Sequence, residues 1–298
     1  MQTVSQNLLR WYRKHGRNLP WRQTCDPYRI LISEIMLQQT QVDRVLLFYD
    51  KWMRAFPTFE KLARAKTPAL LHAWAGLGYN RRPLMLREIA RQIVARGVPD
   101  SLQAWRALKG IGPYTAAAIR TFSAHERLMP LDTNIRRVLA RLFLGIPFPS
   151  QNVDTRLQKY FDQVLPKREA FYDVPQALFD LASLVCTKQP ACARCPLRTQ
   201  CKAAAKFLSG RVGKPQRLTP RAHEHIHPGK RFPDRIYRGR ILRVIREHSK
   251  GIVHQNIGPL VDATYGAADH LWITSLINKL IQEKFICKRC EKLYLSPH

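Results

Sequence analysis

The sequence Leu108-Lys-Gly-Ile-Gly-Pro-Tyr-Thr-Ala-Ala-Ala-Ile119 places one apolar residue between two glycines, and a helical pattern follows at once. Glycine allows a backbone to turn tightly and to approach another backbone closely. The N–H groups at the start of the following helix then form a site for an anion. A hairpin of this kind between two helices can bind a DNA phosphate without reading base sequence. An ordinary turn that joins two helices is the alternative interpretation.

The rest of residues 1–204 favours helices. Apolar residues recur at spacings of three and four, for example in residues 104–108 and 138–143, and few segments alternate with a period of two. Proline and glycine mark the joints between these short segments. The pattern predicts an all-α fold, and 298 residues are enough for two domains or for one large domain with an appendage.

The charge of the chain indicates a polyanionic partner. It contains 50 Lys and Arg against 21 Asp and Glu, a net charge of +29. Such an imbalance repels itself in the folded state, and nucleic acid is the partner that most simply compensates for it. We see no apolar run long enough for a membrane span, no signal peptide and no lipidation motif. The expected location is therefore the cytoplasm, in association with the nucleoid, and we expect no membrane partner.

The composition changes after Cys201. Residues 202–250 contain 14 Lys and Arg against 3 Asp and Glu, a net charge of +11, and residues 209–234 have the composition of an extended linker. Three helical segments and a possible hairpin follow, at residues 240–247, 255–261, 270–282, and 285–287 with 292–295. This order is typical of a winged helix, which contacts nucleic acid in some proteins and serves for packing or dimerisation in others.

Four of the seven cysteines, namely Cys186, Cys192, Cys195 and Cys201, lie within sixteen residues. In a reducing compartment, thiols at this spacing indicate a metal site. They can hold a 4Fe–4S cluster or a structural zinc, and spacing alone does not separate the two. Cys287 and Cys290 could bind zinc only with two nearby histidines, and otherwise they are ordinary thiols.

Two carboxylates occupy unusual places in the sequence. Glu34 interrupts the apolar run Ile30-Leu-Ile-Ser-Glu-Ile-Met-Leu, where burial should raise its pKa and let it hold a proton near neutral pH. A salt bridge to an arginine is the alternative for Glu34. Asp132 precedes a helical pattern, so it is a candidate N-cap. The next charged residues, Arg136 and Arg137, belong either to a solvated helix face or to a phosphate-binding surface.

Taken together, these motifs resemble the helix-hairpin-helix DNA glycosylases of the endonuclease III superfamily, and within it the adenine DNA glycosylase (MutY) branch. The resemblance covers residues 8 to about 204. The matching segments are Leu19-Pro-Trp-Arg22, Pro27-Tyr28, Ser33-Glu-Ile-Met-Leu-Gln-Gln-Thr-Gln41, Phe56-Pro-Thr58, Trp74-Ala-Gly-Leu-Gly-Tyr79, Gly110-Ile-Gly112, Leu131-Asp132 and the cysteine run that ends Cys195-Pro-Leu-Arg198.

The resemblance implies a fold with four parts. A six-helix barrel domain with the hairpin would cover residues 23–132, and residues 1–22 with 133–204 would form the helical domain that carries the iron–sulfur loop. A basic linker would cover 205–235, and a winged-helix-like unit would cover 236–298. The expected partner is double-stranded DNA with a mismatched or damaged base, bound by a monomer.

The resemblance also implies roles for individual residues. Glu34 would protonate adenine at N7 after the base is flipped out of the helix, and Asp132 would stabilise the positive charge that develops on the sugar. Gln38 would enter the base stack as a wedge, with Gln39 and Gln41 near the DNA strand. The remaining expected DNA contacts are Arg22, Tyr79, Gly110, Ile111, Gly112 and Arg136, and the four clustered cysteines would hold a 4Fe–4S cluster.

Tyr114 departs from the pattern of the bifunctional relatives, which have a lysine there that forms a Schiff base. The sequence therefore predicts a monofunctional glycosylase, with Tyr114 in the catalytic site. In having tyrosine at this position, the chain resembles the thymine–guanine mismatch glycosylases of the superfamily. Removal of thymine or uracil opposite guanine is therefore an alternative activity. A non-catalytic DNA-structure-binding protein is a second alternative, although such a protein would need neither Glu34 nor Asp132. The tail does not resemble the Nudix-like domain of longer adenine glycosylases.

Overall fold

The computed structural model describes residues 3–167, 171–213 and 224–297. This part of the chain contains sixteen α-helices and one small sheet of three strands, so the predicted all-α class is confirmed. None of the helices in the described ranges is long and apolar enough to cross a membrane.

The α-helices follow one another through the chain with short connections. They are α1 (Val4–His15), α2 (Pro27–Leu37), α3 (Val42–Ala55), α4 (Phe59–Ala63), α5 (Thr67–Ala73), α6 (Arg81–Arg96), α7 (Leu102–Ala107), α8 (Pro113–Ser123), α9 (Thr133–Leu139), α10 (Asp154–Gln158), α11 (Phe161–Val164), α12 (Asp173–Leu184), α13 (Ala204–Leu208), α14 (Asp234–Glu247), α15 (Ile257–Val261) and α16 (His270–Gln282). A π-helical turn (Ala140–Leu144) continues α9. The 3₁₀ turns are Pro20–Arg22, Gln151–Val153, Cys192–Arg194, Arg198–Gln200, His254–Asn256 and Ala267–Asp269.

Backbone packing divides the chain into two compact units, residues 1–34 with 99–218 and residues 35–98 with 219–298. The four parts expected from the sequence divide the chain differently, and their bounds remain a prediction. Residues 214–223 of the expected linker lie outside the described residues.

In the first unit, α12 packs against both α1 and α9. Their shared core includes Leu8, Ile135, Leu139, Leu178 and Leu181, all fully buried. Each buried leucine or isoleucine contributes about 1.5–3 kcal/mol relative to an exposed one, so this core holds the segments that carry the candidate site.

The predicted hairpin joins α7 to α8. Gly110 has φ of 100°, a left-handed conformation that glycine adopts without the steric cost of a side chain. The Ile111 side chain is buried and its N–H donates to the Leu108 carbonyl oxygen at 3.0 Å. Gly112 caps α8, and Pro113 occupies the first turn, where a missing N–H costs nothing. The two glycines thus expose backbone while Ile111 anchors the turn.

The C-terminal part of the second unit contains α14, α15, α16 and an antiparallel sheet of order β1-β3-β2. The strands are β1 (Ile252–Val253), β2 (Ile286–Arg289) and β3 (Lys292–Leu295), with Ile286 opposite Leu295 and Ile252 opposite Leu293. The three predicted helices and the hairpin are therefore present. The two-residue strand β1 was not predicted from the sequence. A winged-helix role remains a prediction.

Residues 224–233, which the sequence assigned to the linker, contain no helix or strand but are anchored. The Nζ of Lys230 lies 2.7 Å from carboxylate oxygens of both Asp262 and Asp269, and it lies 5.6 Å from the centre of the Trp272 ring. All three charged side chains are nearly inaccessible to solvent. The segment just before α14 is consequently part of the packed unit.

Candidate active site

The Glu34 carboxyl lies inside α2 and is only 7% exposed. The hydroxyl of Tyr114 donates a hydrogen bond to its Oε2 at 2.7 Å. Burial raises the pKa of Glu34 to about 7, the charge on Asp132 adds to the increase, and the Tyr114 hydrogen bond and the charge on Arg22 oppose it. A carboxyl with this pKa can hold and release a proton near neutral pH. No ion pair of Glu34 occurs within the described ranges, so the salt-bridge alternative is not supported.

Tyr114 belongs to the first turn of α8, directly after the hairpin. Its ring packs edge-to-face against the ring of Phe179, with the ring centres 6.4 Å apart. Burial raises the pKa of Tyr114 well above its ordinary value, and the charge on Glu34 raises it further. The phenol therefore stays protonated and acts as a hydrogen-bond donor to the carboxyl.

Asp132 is the N-cap of α9, as its position in the sequence predicted. Its Oδ1 accepts hydrogen bonds from the backbone N–H groups of Asn134 at 2.9 Å and Ile135 at 2.7 Å, and its Oδ2 accepts from the Asn134 side-chain amide at 2.7 Å. Burial raises the pKa of Asp132, while these hydrogen bonds and the charge on Arg137 lower it. The cap fixes the carboxylate in place, near enough to Glu34 for its charge to raise the pKa of that carboxyl.

Two of the expected DNA contacts, Arg22 and Arg136, pair with carboxylates of the protein itself. The guanidinium of Arg22 donates to both oxygens of the fully buried Asp180 at 2.8 and 2.9 Å, and its side chain is 9% exposed. Arg136 is likewise buried and binds both oxygens of Asp154. Each guanidinium forms an ion pair with a carboxylate inside the protein. Removing one partner of a buried ion pair lowers the free energy of unfolding by about 3–5 kcal/mol. A DNA contact by Arg22 or Arg136 stays a prediction.

The other expected contacts are surface residues. The side chains of Gln38, Gln39 and Gln41 are exposed, and Tyr79 is 52% exposed. Gln39 and Tyr79 have left-handed backbones with φ of 55° and 50°, uncommon for residues with side chains. The loops that contain Gln39 and Tyr79 thus expose polar or aromatic side chains on constrained backbones.

Arg82 holds the loops around Gln39 and Tyr79 in place, and no pattern in the sequence predicted this role. Its side chain is buried beside the Trp74 and Tyr79 rings, at 5.1 and 5.4 Å from their centres. Its two terminal nitrogens donate to the carbonyl oxygens of Ile35, Met36, Gln38, Leu77 and Gly78 at 2.7–3.1 Å and to the hydroxyl of Thr40 at 3.2 Å. Burial lowers the pKa of Arg82 to about 10, so it remains a cation at neutral pH.

The four clustered cysteines line one small cavity in the first unit. Burial, together with the charges of the neighbouring thiolates, raises the pKa of Cys195 to about 12. A bound metal cation would relieve the repulsion between the thiolates. Arg141 donates a hydrogen bond to the Cys186 sulfur at 3.3 Å. In the described ranges no three His, Cys, Asp or Glu side chains are grouped to hold one metal ion. Because the four sulfurs line one cavity, they are candidate ligands for a metal group, for which thiolates are usual donors.

Comparison with known proteins identifies the family of the chain. A family model described as "HhH-GPD superfamily base excision DNA repair protein" matches residues 32–163, a range that contains Glu34, Tyr114 and Asp132. An adenine DNA glycosylase of Mycobacterium tuberculosis is 38% identical over 247 residues, which are 80% of this chain and 77% of that protein. Another, from Mycolicibacterium smegmatis, is 31% identical over 282 residues, 93% of this chain and 92% of that protein.

A solved structure shares the fold. A thermostable thymine-DNA glycosylase is similar with a TM-score of 0.62 and 27% identity, over 68% of this chain and 95% of that one. The helix-hairpin-helix glycosylase fold expected from the sequence is thereby confirmed. The chain belongs to the HhH-GPD superfamily of base excision DNA repair proteins and, within it, to the adenine DNA glycosylases.

Proposed function

We propose that this protein is a monofunctional base-excision-repair glycosylase that hydrolyses the N-glycosidic bond of adenine opposite guanine or 8-oxoguanine in double-stranded DNA. The observation that carries the proposal is the buried Glu34 carboxyl, with its pKa raised to about 7 and the Tyr114 hydroxyl bound to it. Adenine leaves a sugar readily only after protonation, and a neutral carboxylic acid is a suitable donor.

In the proposed reaction, Glu34 gives its proton to N7 of the flipped adenine. The bond between the sugar C1′ and adenine N9 then breaks, and its electron pair stays with the base. The sugar becomes oxocarbenium-like, and the Asp132 carboxylate stabilises that charge, as in glycosidases with two carboxyl groups. A water oxygen adds to C1′ and loses a proton to the Glu34 carboxylate, which restores the acid.

Tyr114 supports the monofunctional assignment. A Schiff base with the sugar requires an amine, and the group that contacts Glu34 is a phenol. Tyr114 would instead orient the Glu34 carboxyl by its hydrogen bond. The expected product is an intact abasic site that breaks only on treatment with alkali.

Binding to DNA would use the net charge of +29, the exposed hairpin backbone at Gly110 and Gly112, and the exposed loops with Gln38 and Tyr79. Phosphate contacts of this kind fix position without reading sequence. We further propose that the enzyme acts as a monomer on the chromosome in the cytoplasm.

The four-cysteine cavity supports a 4Fe–4S cluster as the metal group. Cys186, Cys192, Cys195 and Cys201 would hold it, and its contribution would be to fix the loop between α12 and α13. All steps of the proposed chemistry rest on Glu34, Tyr114 and Asp132.

One observation favours a second candidate. The similar solved structure is a thymine-DNA glycosylase, and Tyr114 resembles the residue found in thymine–guanine mismatch enzymes. Excision of thymine or uracil opposite guanine is therefore the competing activity. Thymine has no N7, so Glu34 could not act on it in the way proposed above.

A panel of duplexes separates these candidates. Single-turnover release of the base is measured on A:G, A:8-oxoguanine, T:G and U:G pairs, with alkali treatment to reveal abasic sites. We expect release from the two adenine pairs and its abolition by Glu34→Gln, while binding to the mismatch persists. Release from T:G or U:G without release from either adenine pair would replace the proposed substrate.

A further inference from the structure

The elements α14, β1, α15, α16, β2 and β3 follow one another in the order of a winged helix, and the proposed chemistry uses none of them. One side of α16 packs into the core of this C-terminal part, through the buried residues Trp272, Ile273, Leu276, Ile277 and Leu280. The opposite side of α16 is therefore held in a fixed position and faces solvent.

The solvent-facing side of α16 combines amides, a hydroxyl and one apolar group. Its exposed residues, at spacings of three and four, are Leu271, Ser275, Asn278 and Gln282. Leu271 is 80% exposed, more than any other large apolar side chain in the described ranges. Amides bind the edge of adenine through paired hydrogen bonds, a hydroxyl binds several base edges, and an apolar group contacts the methyl of thymine. This side of α16 therefore matches the groups that bases present in the major groove of DNA.

The β2–β3 hairpin, which packs next to α16, adds positive charge to this surface. Its exposed cations are Lys288, Arg289 and Lys292. Its one acidic residue, Glu291, lies with a carboxylate oxygen 3.8 Å from the Nζ of Lys288, and both side chains are largely exposed. An exposed ion pair of this kind is weak. The hairpin therefore has an excess of cations that a row of phosphates could neutralise.

The other acidic residues between positions 262 and 297 are all paired with cations of the same unit. Asp262 and Asp269 both lie 2.7 Å from the Nζ of Lys230, and these three side chains are nearly inaccessible to solvent. Glu283 binds Arg238 at 2.5 Å. A free carboxylate beside α16 would repel phosphate. The anchored segment that carries Lys230 thus removes negative charge from the surface around α16.

We propose that α16 and the β2–β3 hairpin bind a stretch of undamaged double-stranded DNA, with α16 in the major groove and the hairpin cations on the phosphates. The major groove is about 12 Å wide and admits one α-helix. Asn278 and Gln282 would contact base edges, and the hairpin cations would fix the position of the helix. This contact is additional to those that the proposed function assigns to other parts of the chain, and it requires no mismatch.

Salt-dependent binding to an undamaged duplex tests the phosphate contacts. The affinity of the full chain for a duplex without a mismatch is measured by fluorescence anisotropy at several salt concentrations. Each phosphate that a protein neutralises contributes about 0.9 to the slope of log affinity against log salt concentration. The double variant Lys288→Ala/Lys292→Ala should therefore make this slope shallower by about 1.8. An unchanged slope would overturn the proposal.

The matched control is Lys61→Ala/Lys66→Ala, which removes two exposed lysines from another part of the same unit. Both double variants lower the net charge of the chain equally, so a general effect of charge on association is the same in both. We expect the control to keep the original slope, with circular dichroism to verify folding of each variant. An equal change of slope in the two variants would show that the β2–β3 hairpin makes no contact of its own and would overturn the proposal.

The double variant Asn278→Ala/Gln282→Ala tests the position of α16 in the groove. The two amides would contact bases rather than phosphates, so their loss should weaken binding to the undamaged duplex by about fivefold while the salt slope stays the same. An affinity equal to that of the unsubstituted protein would overturn the proposal.

A second copy of the chain is the other occupant that the exposed Leu271 could face. Sedimentation velocity without DNA measures self-association of the protein and of Leu271→Ser, and we expect both to be monomers. A dimer that Leu271→Ser dissociates would assign this side of α16 to self-association and overturn the proposal. Binding to an undamaged duplex involves no base release, so failure of the proposed glycosylase activity would leave these measurements unaffected.

Discussion

Replacing Glu34 with glutamine should stabilise the protein at alkaline pH while abolishing catalysis. Burial of the carboxyl raises the pKa of Glu34 from its usual 4.5 to about 7. Such an increase means that ionisation in the folded state costs about 3 kcal/mol more than in the unfolded state. Glutamine has nearly the same shape, can accept the Tyr114 hydrogen bond, and carries no charge at any pH.

The sign of the pH dependence follows from proton binding. Below pH 4.5 Glu34 is protonated in both states, and its raised pKa costs nothing. Between pH 4.5 and 7 the folded state holds one proton more than the unfolded state, so stability falls as pH rises. Above pH 7 the full cost is present. From pH 5 to pH 8 the unsubstituted protein should therefore lose about 2–3 kcal/mol relative to Glu34→Gln.

Urea unfolding at pH 5 and pH 8 measures this difference. The control is Glu247→Gln, which replaces an exposed glutamate of α14 and should change the unfolding free energy by less than about 0.5 kcal/mol at both pH values. If the gain of Glu34→Gln is the same at both pH values, the carboxyl does not have a raised pKa and the argument for a neutral acid is wrong.

Other substitutions test neighbouring parts of the site. Tyr114→Phe removes a hydrogen bond that lowers the pKa of Glu34, so the alkaline limb of the single-turnover rate should move to higher pH; an unmoved limb would contradict the contact. Tyr114→Lys should introduce strand cleavage that borohydride traps, and an absence of trapped product would count against this position as the one facing the sugar. The purified protein should contain about four irons per chain, as a 4Fe–4S cluster requires, and Cys201→Ser should lower both iron content and melting temperature; stoichiometric zinc would contradict the cluster.

Features that depend on neighbouring residues could be predicted from the sequence. The apolar run around Glu34 predicted its burial, and the Gly110-Ile-Gly112 pattern predicted the turn before α8. The position of Asp132 before a helical pattern predicted the cap of α9. In each case the physical cause acts within a few residues, through periodicity, backbone conformation or a local hydrogen bond.

Features that depend on distant partners could not be predicted. The Tyr114 hydroxyl that donates to Glu34 is 80 residues away from it in the sequence, and Asp180 is 158 residues away from Arg22. An arginine near a DNA-binding motif was expected to face phosphate, because the sequence does not show which carboxylate the fold brings to it. Arg82 was missed for the same reason, since most of its acceptors are carbonyl oxygens, which every residue has.

Through six hydrogen bonds, the single side chain of Arg82 holds two loops that are distant in the sequence. Gln39 and Tyr79 are 40 positions apart, yet neither backbone can relax without disturbing the guanidinium that holds the other. Substitutions at the two positions should therefore combine non-additively, with the second change costing less once the first has loosened the shared anchor. Over longer times, the two loops would be expected to vary together rather than independently.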